Sequence, residues 1–501
     1  MRGCGGPDVL LAMWVRVVLL CIAVACTAAL AFPTSWGAMA PLVQAPGTKA
    51  VPDKYMVVLK EGVSADRLMA HSANVASFFR GSGDADPISH VYDMGDAMRG
   101  YAGHFSPEDI ALIRSHPDVA FIERDSIVDV TMLAQDDRNV RNMSGSAVQY
   151  TFPWDNPYRH LTEQGAPWGL ARISHQRSLS LGTFNKYVYE SIGGEGVTAY
   201  VIDTGVNIEH SDFGGRAKWG TTIPANDTDT DGHGHGTHVA GTIASNTFGV
   251  AKKAEIIAVK VLGSHGQGSM SDVTAGVLWA VKDAENKTRM MRGSRKLRGF
   301  VSNMSLGGTK SPTLDRAVGG AVAAGMHFGV AAGNEDQDAC NVSPADVRAA
   351  VTVGASTIAD ERAFFSNTGP CVDIFAPGLN ILSLWNAGPQ SINTISGTSM
   401  AAPHVVGLMA YLLSIYGSSD FRVMEEAKPV RSLVAAVHAL LPSWVARFLP
   451  LAYETTPLPI ESTVRPADLK RAMRRMATSH ALANLDMDTV NKLAYNNATT
   501  S

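Results

Sequence analysis

Four short segments of this 501-residue chain carry side chains suited to proton transfer and attack on a carbonyl. Asp203 ends the apolar run Val197-Thr198-Ala199-Tyr200-Val201-Ile202. A carboxylate there is costly unless it is hydrogen-bonded or paired. His235 stands in Asp231-Gly232-His233-Gly234-His235-Gly236-Thr237-His238. The glycines permit close backbone approach, and an imidazole titrating near neutrality suits a general base. Ser399 follows Gly397-Thr398 and precedes the apolar run Val405 to Ile415. At a helix start the dipole favours negative charge, and the serine's own N–H is free to bind an oxyanion. Pro403 falls in the first turns, where a missing N–H costs little. Asn334 closes Val330-Ala331-Ala332-Gly333 and offers an amide N–H to a developing oxyanion. Each residue has an ordinary structural explanation too: a turn Asp or Asn, or an N-cap Ser. His233, His235 and His238 could instead ligate zinc; no later cluster completes such a site.

These residues need a rigid frame. From Ala166 onward, buried strand-like runs alternate with helix-length segments. The runs are Val197–Ile202, Ile256–Val261, Gly299–Met304, His327–Ala331 and Ala350–Val353. The segments are His238–Ser245, Ser271–Lys282 and Leu314–Ala324. Alternation of this kind predicts an α/β fold, a parallel sheet with helices on both faces. Sites in such sheets form beyond the carboxyl ends of the strands, where Asp203 and Asn334 fall.

An earlier unit, 51–130, has a different order. Strand-like Tyr55–Leu59, helical Ser64–Phe79, strands Ile88–Met94 and Gly100–Phe105, a helix opened by Ser106-Pro107-Glu108-Asp109 and a last strand Val119–Ile122 spell β-α-β-β-α-β, the ferredoxin-like α+β unit. Residues 134–165 lose periodicity, and 131–165 are expected to form an exposed linker holding a cleavage site.

The apolar stretch Val17–Ala31 follows Arg16 and ends Ala29-Leu30-Ala31, the pattern of a signal peptide over 1–31. It is short for a membrane span of roughly 20 residues. Of five cysteines, Cys4, Cys21 and Cys26 lie in this leader. The remaining pair, Cys340 and Cys371, suits one disulfide in a secreted chain. Sequons at Asn142, Asn226, Asn286, Asn341 and Asn497 suit glycosylation; a sixth, at Asn303, falls in a buried strand. A net charge of -4 gives no reason to expect nucleic acid as a partner. The basic run 282–298 is expected to be a solvated loop. Residues 417–463, with apolar Leu433–Leu451, are expected to be an insertion, a packed helical hairpin or a membrane-surface element.

The segments YVIDTGV, GHGTHVAGTIAS, NMSLGG, AAGN and GTSMAAPH resemble those of subtilases, in the chain order Asp203, His235, Asn334, Ser399. APWGLARIS, FNKYVY and SNTGPCVDIFAPGLNIL resemble the proteinase K branch, and within it the cerevisin-like fungal vacuolar proteases. The resemblance implies a monomeric serine endopeptidase of broad specificity, made as a zymogen, with no catalytic cofactor. Asp203, His235 and Ser399 would be its triad and Asn334 its oxyanion donor. Gly266, Gly268, Met270, Ser305, Leu306, Gly307, Ala331 and Gly333 would line the substrate cleft. No acid is evident in the segments matched to the P1 pocket, which implies an apolar or aromatic P1 residue. The 51–130 unit would be the propeptide and intramolecular inhibitor. The secretory pathway, extracellular or vacuolar, would be the location. Cys340–Cys371 would be a disulfide. Asp373, with the carbonyls of Arg348 and Ala350, would hold a structural calcium. Val239 stands where cerevisin-like enzymes often carry a cysteine, which implies insensitivity to thiol reagents.

Overall fold

The structure is a computed structural model that describes residues 39–79, 86–130, 140–143, 149–151, 160–294, 296–416 and 460–498. The signal-peptide expectation, most of the 131–165 segment and Leu433–Leu451 lie outside the described residues.

The N-terminal unit comprises β1 (Ala50–Leu59), α1 (Ala65–Phe78), β2 (Ile88–Asp93), β3 (Arg99–His104), α2 (Pro107–Arg114) and β4 (Val119–Val130). Its antiparallel sheet has the order β4-β1-β3-β2, which is ferredoxin-like. The Ser106 signal is a full capping box: the serine hydroxyl accepts from the Asp109 amide, and the Asp109 carboxylate accepts from the Ser106 amide. β4 runs eight residues beyond the expected Ile122.

The larger unit is built on β5 (Val197–Asp203), β6 (Ala217–Thr222), β7 (Glu255–Lys260), β8 (Gly299–Met304), β9 (His327–Ala331), β10 (Val351–Ser356) and β11 (Ile374–Pro377). Near the C-terminus, β12 (Thr478–Ser479) and β13 (Lys492–Leu493) extend the edge. The nine strands run β6-β7-β5-β8-β9-β10-β11-β13-β12, all parallel except the last pair. Side chains alternate along β5. Ala199 and Val201 pack with Val239, Ile243, Val405 and Val406, from helices α3 (His235–Ala244) and α6 (Thr398–Ile415). Tyr200 and Ile202 pack with Val273, Val277, Leu314 and Val318, from α4 (Met270–Met290) and α5 (Pro312–Ala323). A strand buried on both faces can be apolar throughout, as this one is.

Two expectations need correction. The basic run 282–298 is not wholly a loop, because α4 continues to Met290. Its register brings Lys287 onto Asp283 at 2.9 Å and over the Tyr200 ring at 5.2 Å. The segment 131–165 is not all exposed linker. His160–Gln164 pairs with Lys186–Glu190, and Glu163 is buried against Lys252 at 2.8 Å. Arg141–Asn142 joins the edge of Ser391–Ile395. Asn142, Asn226, Asn286, Asn341 and Asn497 are exposed, whereas Asn303 is fully buried on β8.

Candidate active site

Asp203 and His235 meet because a strand end faces a helix start. β5 is buried along its length and stops at Asp203. α3 begins at His235, and Gly236 lets it close on the strand. A Cβ at Gly236 would lie 2.0 Å from the Gly205 carbonyl oxygen and 3.2 Å from Asp203. Asp231 fixes the helix entry. Its Oδ1 accepts from the Gly234 amide at 2.8 Å and the Thr204 hydroxyl at 2.9 Å. Its Oδ2 accepts from the Thr237 amide at 2.9 Å and the Thr237 hydroxyl at 2.6 Å. These bonds satisfy amides that lack a partner within the helix. Sequence reasoning assigned Asp231 no role; an acid just ahead of a glycine-rich helix start was the available signal.

His235 Nδ1 lies 2.7 Å from Asp203 Oδ1, and both side chains are fully buried. The Thr204 amide donates to the same oxygen at 2.8 Å. With Nδ1–H given to the carboxylate, Nε2 is the acceptor of the ring. It has no hydrogen-bond partner among the described residues. An imidazole held this way can take a proton from a hydroxyl, and the carboxylate stabilises the cation that results.

Ser399 is the second residue of α6, and its Oγ donates to the Ser305 carbonyl at 3.0 Å. Pro403 is deeper in the helix than the expectation allowed. As the sixth residue its missing N–H would have bonded the Ser399 carbonyl. The Ser305 hydroxyl donates to that carbonyl instead, at 2.9 Å. The exchange ties the backbone of Ser399 to the segment after β8.

Asn334 is anchored through its oxygen. Oδ1 accepts from the Thr398 amide at 2.8 Å and the Thr398 hydroxyl at 2.9 Å. Its Nδ2 is buried with no partner among the described residues. A buried orphan donor is costly, and a negatively charged oxygen beside Ser399 would satisfy it.

The zinc alternative fails on geometry. His238 turns away, its Nε2 donating to the Ile381 carbonyl at 3.0 Å, and burial draws its pKa down to about 3. His233 and His235 stand edge to face, ring centres 6.3 Å apart. No group of three potential ligands occurs among the described residues.

The expected cleft residues form two edges with a strand between them. Gln267–Ser269 pairs antiparallel with Ile127–Asp129, and Leu306–Gly307 pairs antiparallel with Asp129–Val130. The Val130 amide donates to the Gly266 carbonyl at 3.1 Å. Val128 pairs with Gly268 and lies in one cluster with buried Met270 and Leu306. The extension of β4 therefore fills the cleft. Beyond it lies a cavity of about 470 Å³ lined by Gly307, Gly308, Ala331, Gly333 and Glu335. A Cβ on Gly333, where φ is +104°, would lie 2.6 Å from the Glu335 carboxylate. The matched segments carry no acid, as read from the sequence; Glu335, just past the AAGN motif, brings one to this cavity, and Lys310 lines it too.

Two carboxylates on β4 hold the units together. Glu123 accepts from the Thr313 amide at 3.0 Å and the Thr313 hydroxyl at 2.6 Å, at the start of α5. Asp125 accepts from the Ser271 amide at 3.0 Å and the Ser271 hydroxyl at 2.6 Å, at the start of α4. Burial pushes the Glu123 pKa up, against its hydrogen bonds from Ser311 and Thr313. Anions at helix starts complement orphan amides and the dipole. Combined Glu123→Ala and Asp125→Ala changes are expected to weaken inhibition by the released 51–130 unit about 10²-fold, from the cost of uncapping two buried helix ends. Inhibition curves at increasing propeptide concentration measure this, and unchanged curves would show that the caps contribute nothing.

Comparisons with known proteins agree with this arrangement. Residues 194–438 match the subtilase family model and residues 54–131 match the peptidase inhibitor I9 model. A subtilisin-like protease of Coccidioides posadasii is 47% identical over 475 residues, covering 91% of this chain and 83% of the relative. The chain belongs to the subtilase family. Subtilisin-like protease 8 of Arthroderma otae is 46% identical to this subtilase, covering 91% and 84% of the two chains. The crystal structure of a cold-adapted subtilisin-like serine proteinase is 39% identical, with a TM-score of 0.51, covering 66% of this chain and 99% of that one. This subtilase is a serine protease preceded by an inhibitor-type propeptide, and as a family member it needs no catalytic cofactor.

Cys340 and Cys371 are joined as a disulfide. The oxygens expected to hold a calcium at Asp373 have a protein partner. The Arg348 and Ala350 carbonyls and the Asp373 carboxylate do converge, but on the side chain of Lys470.

Proposed function

We propose that Ser399 is the nucleophile, His235 its general base, Asp203 the carboxylate that orients and stabilises the imidazole, and Asn334 Nδ2 with the Ser399 amide the oxyanion hole. The substrate is an extended polypeptide bound as an added strand between Gly266–Met270 and Ser305–Gly307, mostly through main-chain bonds. That binding mode favours broad specificity. Gly266, Gly268, Ser305, Leu306 and Gly307 contact the backbone, Met270 the P4 side chain, and Ala331 with Gly333 the P1 side chain.

The observation that carries this reading is the strand Ile127–Val130 in the cleft. Val130 pairs with Leu306, and the preceding residue Ser305 accepts from the Ser399 hydroxyl. By antiparallel register the position opposite Ser305 is one residue further, and the bond after it is the one the nucleophile would attack. In the precursor, that is the bond between Thr131 and Met132. Wild-type precursor is expected to cut itself there, and N-terminal sequencing of the first product should begin at Met132. A different first residue overturns the register, and an uncut precursor overturns self-processing.

The glycine-lined cavity accommodates large P1 side chains, so peptides with Leu or Phe at P1 should be cleaved faster than those with Asp or Glu, which Glu335 repels. We further assign the enzyme to the proteinase K branch, close to the cerevisin-like proteases. It acts as a monomer within the secretory pathway, in the vacuole or outside the cell. It carries its leader over 1–31, glycans on the five exposed sequons and the Cys340–Cys371 disulfide.

A further inference from the structure

The family leads one to expect a structural calcium at Asp373, and the residues present do not fit one. Lys470 Nζ lies 2.8 Å from the Arg348 carbonyl oxygen, 2.6 Å from that of Ala350 and 2.6 Å from Asp373 Oδ2. An ammonium has three N–H donors, and three oxygens receive them. Asp373 has further partners. Its Oδ2 accepts from the Thr352 amide at 3.0 Å, and its Oδ1 faces the Arg474 guanidinium at 3.7 Å. Calcium takes six to eight oxygens at about 2.3–2.6 Å. Here the centre of the oxygens is filled by a nitrogen whose stem leads to a helix, and a second cation stands on the far side of the carboxylate.

We propose that the Lys470 ammonium is the resident cation of this site and that no metal binds there. The lysine belongs to α7 (Pro466–Met476), which lies beyond the residues matched to the family's catalytic model. One contact thereby does two things. It neutralises Asp373 beside β10 and β11, and it fastens the C-terminal segment that adds β12 and β13 to the sheet. A free ion could do only the first. Unlike an ion, this cation cannot be removed by a chelator.

The test uses full-length protein carrying Ser399→Ala, which prevents self-digestion. Crystals soaked in terbium should show no anomalous peak among Asp373, the Arg348 carbonyl and the Ala350 carbonyl. A peak there overturns the proposal. Adding Lys470→Met, which keeps the stem and removes the charge, should lower the melting midpoint in chelator by roughly 5–10 °C, since it leaves a buried carboxylate without its main partner. An unchanged midpoint also overturns it. If Lys470→Met yields no folded protein, the terbium map alone decides.

Discussion

Ser399→Ala should hydrolyse denatured protein about 10⁶-fold more slowly than the wild type, a magnitude carried over from a subtilisin that lost its nucleophile. The substitution removes one oxygen and with it the hydrogen bond from Oγ to the Ser305 carbonyl. It leaves the Ser305 bond to the residue 399 carbonyl, the Asn334 amide and the propeptide strand in place. The variant should therefore fold and remain full length. Mass spectrometry over time and turnover of a denatured substrate read the two effects separately. Activity within tenfold of wild type would remove Ser399 from its proposed role.

Asp203→Asn should reduce kcat by about 10⁴, the size known for the equivalent change in serine proteases. The change is nearly isosteric, so the packing around β5 and α3 survives. The charge does not, and the hydrogen bonds depend on which way the amide turns. Asp203 Oδ1 accepts both from His235 Nδ1 at 2.7 Å and from the Thr204 amide at 2.8 Å, while Oδ2 is buried without a partner among the described residues. An Asn oxygen in the place of Oδ1 keeps both bonds but carries no charge to stabilise the imidazolium that forms. An Asn nitrogen in that place turns a donor toward Nδ1 and forces the ring into the tautomer whose Nε2 carries the proton, which cannot accept one from Ser399. Kinetics on a short peptide, with a melting curve to show an intact fold, checks this. A loss below tenfold would mean that the carboxylate does not set the tautomer.

Much of this was legible in the chain. The apolar strands and their helices were visible because a strand buried on both faces has no polar interruptions, and β5 is such a strand. The Ser106 capping box was visible because its chemistry is local. What escaped notice depended on partners far away in sequence. The last eight residues of β4 looked unlike a strand because Glu123 and Asp125 are charged and yet buried, each matched to a helix start about 150 or 190 residues away. Pro403 looked harmless because nothing in its neighbourhood shows that Ser305 must replace its missing donor. Glu335 looked like a residue just past a motif until Gly333, lacking a side chain, let its carboxylate approach the cavity.

The Asp373 site shows the division most clearly. By itself the sequence determined the family and the order of the strands and helices, and it singled out the four residues proposed to carry the chemistry, since each lies in a short motif whose character is local. Only the tertiary structure decided what stands beside them. Lys470 is 97 residues from Asp373, and no pattern in either segment announces the other. An ion pair depends on where two chain segments pass in space, whereas strand periodicity and helix caps depend on neighbours a few residues apart.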